Sequence, residues 1–283
     1  MTLPSGQISA DQINTELGRP WNQGLSLNDG ASRNLAGRPG GSIAYSDFHG
    51  KSRLFEVPGS AINGIFYNKE LGDLARMVGW DGVSSLKITL NSGVQILSGS
   101  PGSYALTITA NYPNGVELIN NGYIVGCGGQ GGWNVSGGRN GQSGGPALLV
   151  TGPVKITNYG LISGGGGGGG EGGSGDQYSY TGGGGGGAGY GAGGANGGGN
   201  SSPGSAGSLT GGGAGGNGSS YGGYGNDRYG WGGASGGGLG AGGGAGGGWF
   251  GGNGAGGAGG QAIAGNGNIN WSITSGTIYG GIS

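Results

Sequence analysis

Side chains that could carry catalysis or bind a metal ion are scarce in this chain of 283 residues. It has one histidine, His49, and one cysteine, Cys127. A zinc site needs three or four suitably spaced His, Cys or carboxylate ligands, and a nucleophilic triad needs a base beside its nucleophile. His49 has no second histidine to work with, and Cys127 stands where a strand-like segment meets glycine. Both residues are therefore predicted to be structural, and we expect no metal and no cofactor.

The remaining candidates for chemistry are carboxylates. Glycoside cleavage uses a pair of Asp or Glu side chains, and the candidate pairs are Glu171 with Asp176 or with Asp227. These acids lie among glycines, so we expect them to be exposed. No surrounding structure is then expected to raise the pKa of one of them. The sequence therefore predicts that the protein is not an enzyme.

Residue types suited to recognition are concentrated between the glycine runs. These segments share the composition of antibody binding loops, which is Tyr, Ser, Gly and Asn with an occasional Trp or Arg. Rigid rings offer a large contact area at low entropic cost, and Tyr and Trp are enriched at binding hot spots. An alternative for each ring is that it covers a face of the glycine segments. The candidate binding residues are Trp133, Asn134, Arg139, Tyr178, Tyr180, Tyr221, Tyr224, Asp227, Arg228, Tyr229, Trp231, Trp249 and Phe250.

Glycine dominates the scaffold between these segments, with 89 residues of 283, whereas an ordinary chain has about 7%. Runs at 164–170 and 182–187 lack the every-third-residue repeat of collagen. Extended helices with three residues per turn make no internal hydrogen bonds, so their peptide groups need partners elsewhere. Bare backbones can pack closely and exchange those bonds. We expect a rigid bundle of polyglycine-type helices with loops at its ends.

The rest of the chain predicts three further parts. Residues 1–53 contain three short helical turns, capped at Ser9, at Ser26 with Asp29, and near Asp47. Repeats this short cannot bury their own apolar faces, so we interpret 1–53 as an attachment module. Residues 54–126 predict a small mixed α/β domain, with a helix over 68–78 followed by alternating strands.

A strand–turn–strand unit recurs at 116–125, 154–163 and 269–280. It predicts strands that flank the glycine-rich lattice, placed at 127–266, and a closing strand pair at 267–283. The predicted fold class is mainly β and irregular: short N-terminal helices, the small α/β domain, and a C-terminal polyglycine-type helix bundle flanked by β-strands.

Several segments, spread over nearly the whole chain, carry a resemblance to a known group. ISADQINTELG and LSLNDGASRNLAG resemble the N-terminal module of many phage tail proteins, and LINNGYIVGCGGQGG resembles the glycine-rich receptor-binding proteins at the ends of phage tail fibres. The glycine-rich half is similar in style to the tip adhesins of T-even phages, in which loops on packed polyglycine helices bind outer-membrane receptors. The N-terminal half does not share that likeness.

The resemblance implies an adhesin in the virion, at the distal tail fibre or tail tip. Its implied partners are a bacterial outer-membrane protein or lipopolysaccharide, and other tail proteins through residues 1–53. Its copy number stays open between a homotrimer and a single copy. A net charge of −1 predicts no long-range attraction to nucleic acid. The alternative function is a purely structural tail-tip cap or fibre connector.

Overall fold

The computed structural model describes residues 3–80, 82, 84–109, 112, 115–133, 139–173, 179–195, 200–220, 231–248 and 254–283. Most of the regular structure in these ranges is β-strand, as predicted, and the helices are short. The α-helices are α1 (Ala10–Glu16), α2 (Gly30–Ala36) and α3 (Leu71–Arg76). In the described ranges, none of them is long and apolar enough to cross a membrane.

Capping residues set the bounds of the N-terminal helices. Gln12 Oε1 accepts a hydrogen bond from the backbone N–H of Ser9 at 2.9 Å, just before α1. Asp29 Oδ1 accepts from the backbone N–H of Ser32 at 2.7 Å, and Gly37 ends α2 with φ of 69°. Ser26, which was predicted to share in capping, lies outside α2, because Asp29 alone occupies the capping position.

The N-terminal module has a small core of its own, which corrects our expectation that its repeats could not bury their apolar faces. Each of the three repeats contributes to it, and the third forms a 3₁₀ turn at Tyr45–Phe48. The three turns cover one another because each closes a side of the same cluster. The buried side chains are Leu3, Ile8, Ile13, Leu35, Ala36 and Phe48.

From residue 54 the chain winds into a β-solenoid of five coils, each with one strand in each of three parallel sheets. Sheet A holds the first strand of every coil, sheet B the second and sheet C the third. In chain order, the coils are β1 (Leu54–Val57), β2 (Ile65–Tyr67) and β3 (Lys69–Glu70); β4 (Ser85–Leu90), β5 (Gln95–Leu97) and β6 (Leu106–Ile108); β7 (Val116–Asn120), β8 (Tyr123–Val125) and β9 (Leu148–Val150); β10 (Val154–Asn158), β11 (Leu161–Ser163) and β14 (Gln261–Ala264); β15 (Ile269–Thr274), β16 (Thr277–Tyr279) and β17 (Gly281–Ile282). A separate antiparallel pair consists of β12 (Ser179–Tyr180) and β13 (Ser219–Ser220).

The solenoid core is a stack of aliphatic side chains. Alternation along Ser85–Leu90 buries every second residue, because successive side chains of a strand point to opposite faces. Val57, Ile88, Leu118 and Ile156 follow one another in register through four coils of sheet A, and all are fully buried. Burying one such side chain stabilises the fold by about 1.5–3 kcal/mol.

The predicted helix over 68–78 is shorter than expected. Lys69–Glu70 forms β3 instead, and α3 starts at Leu71. Glu70 has extended backbone angles, and its Oε2 accepts from the backbone N–H of Asp73 at 3.2 Å. The carboxylate therefore acts as the helix cap, and the chain before it is free to pair with β6.

The recurring strand–turn–strand unit is one corner of the solenoid seen in three successive coils. Its copies supply β7 with β8, β10 with β11, and β15 with β16. The two strands of a copy lie in different sheets, and each pairs in parallel with the equivalent strand of the next copy. The repeat is therefore the signature of stacked coils.

Glycine-rich sequence leaves the solenoid at a single corner, between sheets B and C. Residues 126–147 connect β8 to β9 there, and residues 164–260 connect β11 to β14. At the same corner of the first and last coils, one residue suffices: Asn68 after β2 and Gly280 after β16. These two connections begin and end in adjacent coils of the solenoid. The solenoid therefore anchors a single glycine-rich body to which both connections contribute. Four strands of the solenoid, β9, β10, β11 and β14, lie within the range 127–266.

Candidate functional site

The glycine-rich body is held together by hydrogen bonds between backbone segments. We name the described residues in 126–146 and 164–260 the glycine lattice. In its central run, 164–173, successive N–H groups donate hydrogen bonds to three different neighbouring segments in turn, so every third residue donates to the same segment. These bonds measure 2.7–3.1 Å. Residues 165, 168 and 171 donate to carbonyls of 145, 142 and 139; residues 166, 169 and 172 to those of 188, 185 and 182; and residues 167, 170 and 173 to those of 241, 244 and 247.

Gly168 and Gly169 are inner positions of the lattice where only glycine fits. A Cβ at Gly168 would lie 2.0 Å from the carbonyl oxygen of Gln130, and one at Gly169 would lie 2.1 Å from that of Ala234. Contacts this close with backbone atoms cannot be relieved by moving a side chain. The high glycine content therefore allows neighbouring backbones to approach closely enough to exchange hydrogen bonds.

The hydrogen-bond order shows that the segments run out from the solenoid and back. Along 164–173, the residue numbers of the hydrogen-bond partners fall from 145 to 139 and from 188 to 182, but rise from 241 to 247. The first two segments are therefore antiparallel to 164–173, and the third is parallel to it. One end of the lattice is fixed to the solenoid, where Gly126 N–H donates to Ser163 and Gly164 N–H to Tyr279 at 2.8 and 3.0 Å. We call this the near end and the opposite one the far end.

Four of the predicted binding residues lie at the far end. Arg139 accepts through its backbone carbonyl from Glu171 N–H at 2.9 Å, and Trp231 N–H donates to Gly173 at 3.4 Å. Trp133 ends the described part of the first outgoing segment, and Tyr180 lies in β12. The sequence thus placed these four between glycine segments, and the lattice brings them to one side.

Trp231 is both packed against the lattice and partly exposed. Its side chain is 38% exposed, yet its ring lies beside Gly247, where a Cβ would be 3.3 Å from Trp231 Cε3. The ring therefore covers part of the lattice and still presents a surface. The other predicted binding residues lie outside the described ranges: Asn134, Tyr178, Tyr221, Tyr224, Asp227, Arg228, Tyr229, Trp249 and Phe250.

Glu171 is fully buried, which corrects the expectation that it is exposed. The hydroxyl of Thr181 donates to its Oε1, and its backbone N–H and carbonyl bond to Arg139 and Gly254. The carboxylate therefore belongs to the packing of the far end. Asp176 and Asp227, its proposed partners in glycoside cleavage, lie outside the described ranges.

His49 and Cys127 are the other two residues whose side chains were considered for catalysis or metal binding. His49 is exposed and follows the 3₁₀ turn of the N-terminal module. Burial raises the pKa of the Cys127 thiol, and Cys127 lies at the near end, where its carbonyl accepts from Gly145 N–H at 2.7 Å. Across the ranges that the structure describes, no three His, Cys, Asp or Glu residues are grouped so that they could hold a metal ion.

The fold, a three-sided solenoid that anchors a hydrogen-bonded glycine lattice, has a counterpart among solved structures. Over 100% of both chains, the protein is similar, with a TM-score of 0.59 and 24% identity, to a chain in the crystal structure of the gp37–gp38 adhesin tip complex of the bacteriophage S16 long tail fibre. The family model of the phage tail fibre adhesin Gp38 matches residues 59–283. The chain belongs to that family. A search of curated proteins finds no match.

The resemblance carried by LINNGYIVGCGGQGG is therefore confirmed: the protein is a receptor-binding adhesin of the distal tail fibre. Its family consists of adhesins and is not a class of enzymes. The match begins at residue 59, so it also includes much of the N-terminal half, for which no likeness to the T-even tip adhesins was expected. The helical module before it lies outside the matched range.

Proposed function

We propose that the far end of the glycine lattice is the surface that binds the bacterial receptor, an outer-membrane protein or lipopolysaccharide. One observation carries this proposal: the interruptions of the glycine runs that contain larger side chains connect segment ends that lie on this side. Residues 134–138, 174–178, 221–230 and 249–253 all join described residues of the far end. These interruptions hold most of the Tyr, Trp and Arg residues that suit recognition.

The lattice acts as a rigid platform of polyglycine-type helices with three residues per turn. The three-residue return of the hydrogen bonds along 164–173 supports this reading. Because each run is bonded on three sides, the far end has little freedom to move relative to the solenoid. A stiff base lowers the entropic cost of binding, because the lattice itself is already ordered.

Residues 1–53 attach the adhesin to another tail protein. The module has its own core and an exposed tryptophan, Trp21, at 71% exposure. Large exposed rings suit protein interfaces, and the S16 chain is described in complex with gp37. The tip carries either a homotrimer or a single copy, and native mass spectrometry of isolated tips separates these two states. The protein binds its receptor without catalysing a reaction.

An adsorption assay tests the far-end proposal. The combined variant Y221S/Y224S/Y229S removes three rings from the longest interruption, and the matched control Y67S removes a 55% exposed tyrosine from sheet B. We expect the combined variant to reduce host-cell binding by about 30-fold or more, as for loss of an interface hot spot. The control should bind like the natural protein, and both should keep its melting temperature.

Host strains then identify the receptor. Binding that disappears from a strain lacking one outer-membrane protein indicates a protein receptor, and binding that disappears when lipopolysaccharide is truncated indicates a sugar. If variants in all the far-end interruptions adsorb normally, the receptor-binding surface lies elsewhere and the proposal is wrong.

A further inference from the structure

We propose that the protein has a second ligand site, for a neutral saccharide, in a cavity between sheet B and the near end of the lattice. The cavity has a volume of about 700 Å³, within the roughly 300–1,000 Å³ of small-molecule sites. It lies at the opposite end of the lattice from the proposed receptor surface. The sequence pattern did not indicate this cavity, although a tyrosine recurs beside a glycine in each copy of the strand–turn–strand unit.

The outer face of sheet B forms the floor. Tyr123, Leu161 and Thr277 are in register on β8, β11 and β16, and all three line the cavity. The neighbouring corner turns supply Asn121 and Tyr159. Because these groups come from three stacked coils, their spacing is set by the strand pairing.

Two turns at the near end of the lattice form the opposite wall, through Thr210 and Leu239. The turn that carries Leu239 is packed on the last coil: a Cβ at Gly240 would lie 2.5 Å from the backbone N of Gly280. Tyr279, also in the lining, has its carbonyl held by Gly164 N–H at 3.0 Å and by Ser163 Oγ at 3.1 Å. The cavity is therefore built where the two parts of the molecule meet.

The backbone beneath Tyr159 is also fixed. The N–H groups of Tyr159 and Gly160 both donate to the carbonyl of Asn120, at 2.8 and 2.9 Å. Tyr159 and Tyr279 are each 50% exposed. A site whose backbone is already ordered needs to immobilise few side chains when a ligand binds.

The lining chemistry favours a neutral sugar. Among the described residues that surround the cavity, none is Asp, Glu, Lys, Arg or His, so a charged ligand would lose hydration without gaining a counter-charge. Three tyrosine rings offer flat faces for the C–H surfaces of a pyranose, and their hydroxyls keep a polar tip. Hydroxyls of Thr210 and Thr277 and the amide of Asn121 can exchange hydrogen bonds with sugar hydroxyls.

Saturation-transfer NMR on the purified full chain tests the site. The probes are glucose, galactose, N-acetylglucosamine and neutral oligosaccharides of each, with glucuronic acid as the charged comparison. We expect at least one neutral probe to bind with a Kd of about 1 mM or tighter. Y159A and Y279A should each weaken that binding about tenfold, whereas Y67A, a similarly exposed tyrosine of sheet B outside the cavity, should not.

The source of the sugar is tested by a second arm. Delipidated core oligosaccharide from host lipopolysaccharide is compared with the free sugars: preference for the core indicates a host-surface glycan, and equal binding indicates a site for free saccharide. The far-end variant Y221S/Y224S/Y229S should keep saccharide binding, which separates this site from the proposed receptor surface. Absence of binding by every neutral probe, preference for glucuronic acid, or normal binding by folded Y159A and Y279A would overturn the proposal.

Discussion

The side-chain amide of Asn120 donates a hydrogen bond to the side-chain oxygen of Asn158, 2.8 Å away in the interior of the solenoid. The two residues end β7 and β10, pair in register and are fully buried. Asn120 Oδ1 also accepts from Gly122 N–H at 3.1 Å. The pair therefore ties two successive coils together at the corner between sheets A and B.

Removing one member of this pair should destabilise the solenoid. We expect N158A to lower the free energy of unfolding by about 1–3 kcal/mol, because a buried amide loses its partner. N120A combined with N158A should cost less than the sum of the single changes, with a coupling of about 0.5–3 kcal/mol. Urea denaturation measures both. The control N270A, at an exposed position of β15, should change stability by less than about 0.5 kcal/mol. Strict additivity of N120A and N158A would contradict the pairing.

Two glycines in the lattice should respond very differently to the same substitution. G168A places a Cβ 2.0 Å from the carbonyl oxygen of Gln130, whereas a Cβ at Gly238 meets no atom within 4 Å. We expect G168A to cost about 3 kcal/mol or more, at the upper end for overpacking, and to speed amide exchange across 164–173. G238A should melt within a few degrees of the natural protein. Equal melting temperatures would argue against a closely packed lattice.

Two substitutions of Asp29 distinguish its role as a helix cap from its role in an ion pair. Arg19 Nη1 donates to Asp29 Oδ2 at 2.7 Å, and Asp29 Oδ1 caps α2. D29N keeps an oxygen for the cap, since Asn caps as well as Asp, and should lose at most about 1 kcal/mol. D29A should lose about a further 1 kcal/mol. Equal losses for D29N and D29A in thermal unfolding would show that the ion pair, which both variants remove, and not the cap, carries the contribution of Asp29.

The same residue predicts a pH dependence. Hydrogen bonds from Arg19 hold the pKa of the Asp29 carboxyl well below its ordinary value, so its contribution is complete above about pH 4, the ordinary pKa of Asp. Below that pH the unfolded chain takes up the proton first, and the contribution declines as pH falls toward the folded-state pKa. The stability difference between the natural protein and D29N should therefore shrink on acidification. A difference that grows below pH 4 would contradict this assignment.

The Cys127 thiol should react slowly with a thiol reagent in the folded protein. Burial raises the pKa of Cys127, and the thiolate is the form that reacts. We expect labelling with 5,5′-dithiobis(2-nitrobenzoic acid) at pH 7 to be at least about tenfold slower in the folded protein than in urea, where the ordinary pKa of about 8.5 applies. Comparable rates in both states would mean that the near end of the lattice opens readily.

Local features of the fold could be predicted from the sequence because they depend on neighbours along the chain. Asp29 and Gly37 marked a helix because capping needs only residues a few positions away. Alternation over Ser85–Leu90 marked a strand with one buried face. Glycine runs without bulky side chains indicated segments bonded to one another, and LINNGYIVGCGGQGG indicated the adhesin family.

The sequence by itself determined the kinds of segment in this protein and its class, a glycine-rich tail-fibre adhesin. Only the tertiary structure decided which segments are neighbours. An alternating pattern identifies which face of a strand is buried, but it does not identify the strand that pairs with it. The parallel pairing of β7 with β10 was therefore not predictable from the alternation. Glycine has no side chain to specify which run it lies beside. The burial of Glu171 and the cavity beside Tyr159 followed from that long-range pairing, because each is built by segments far apart in the chain.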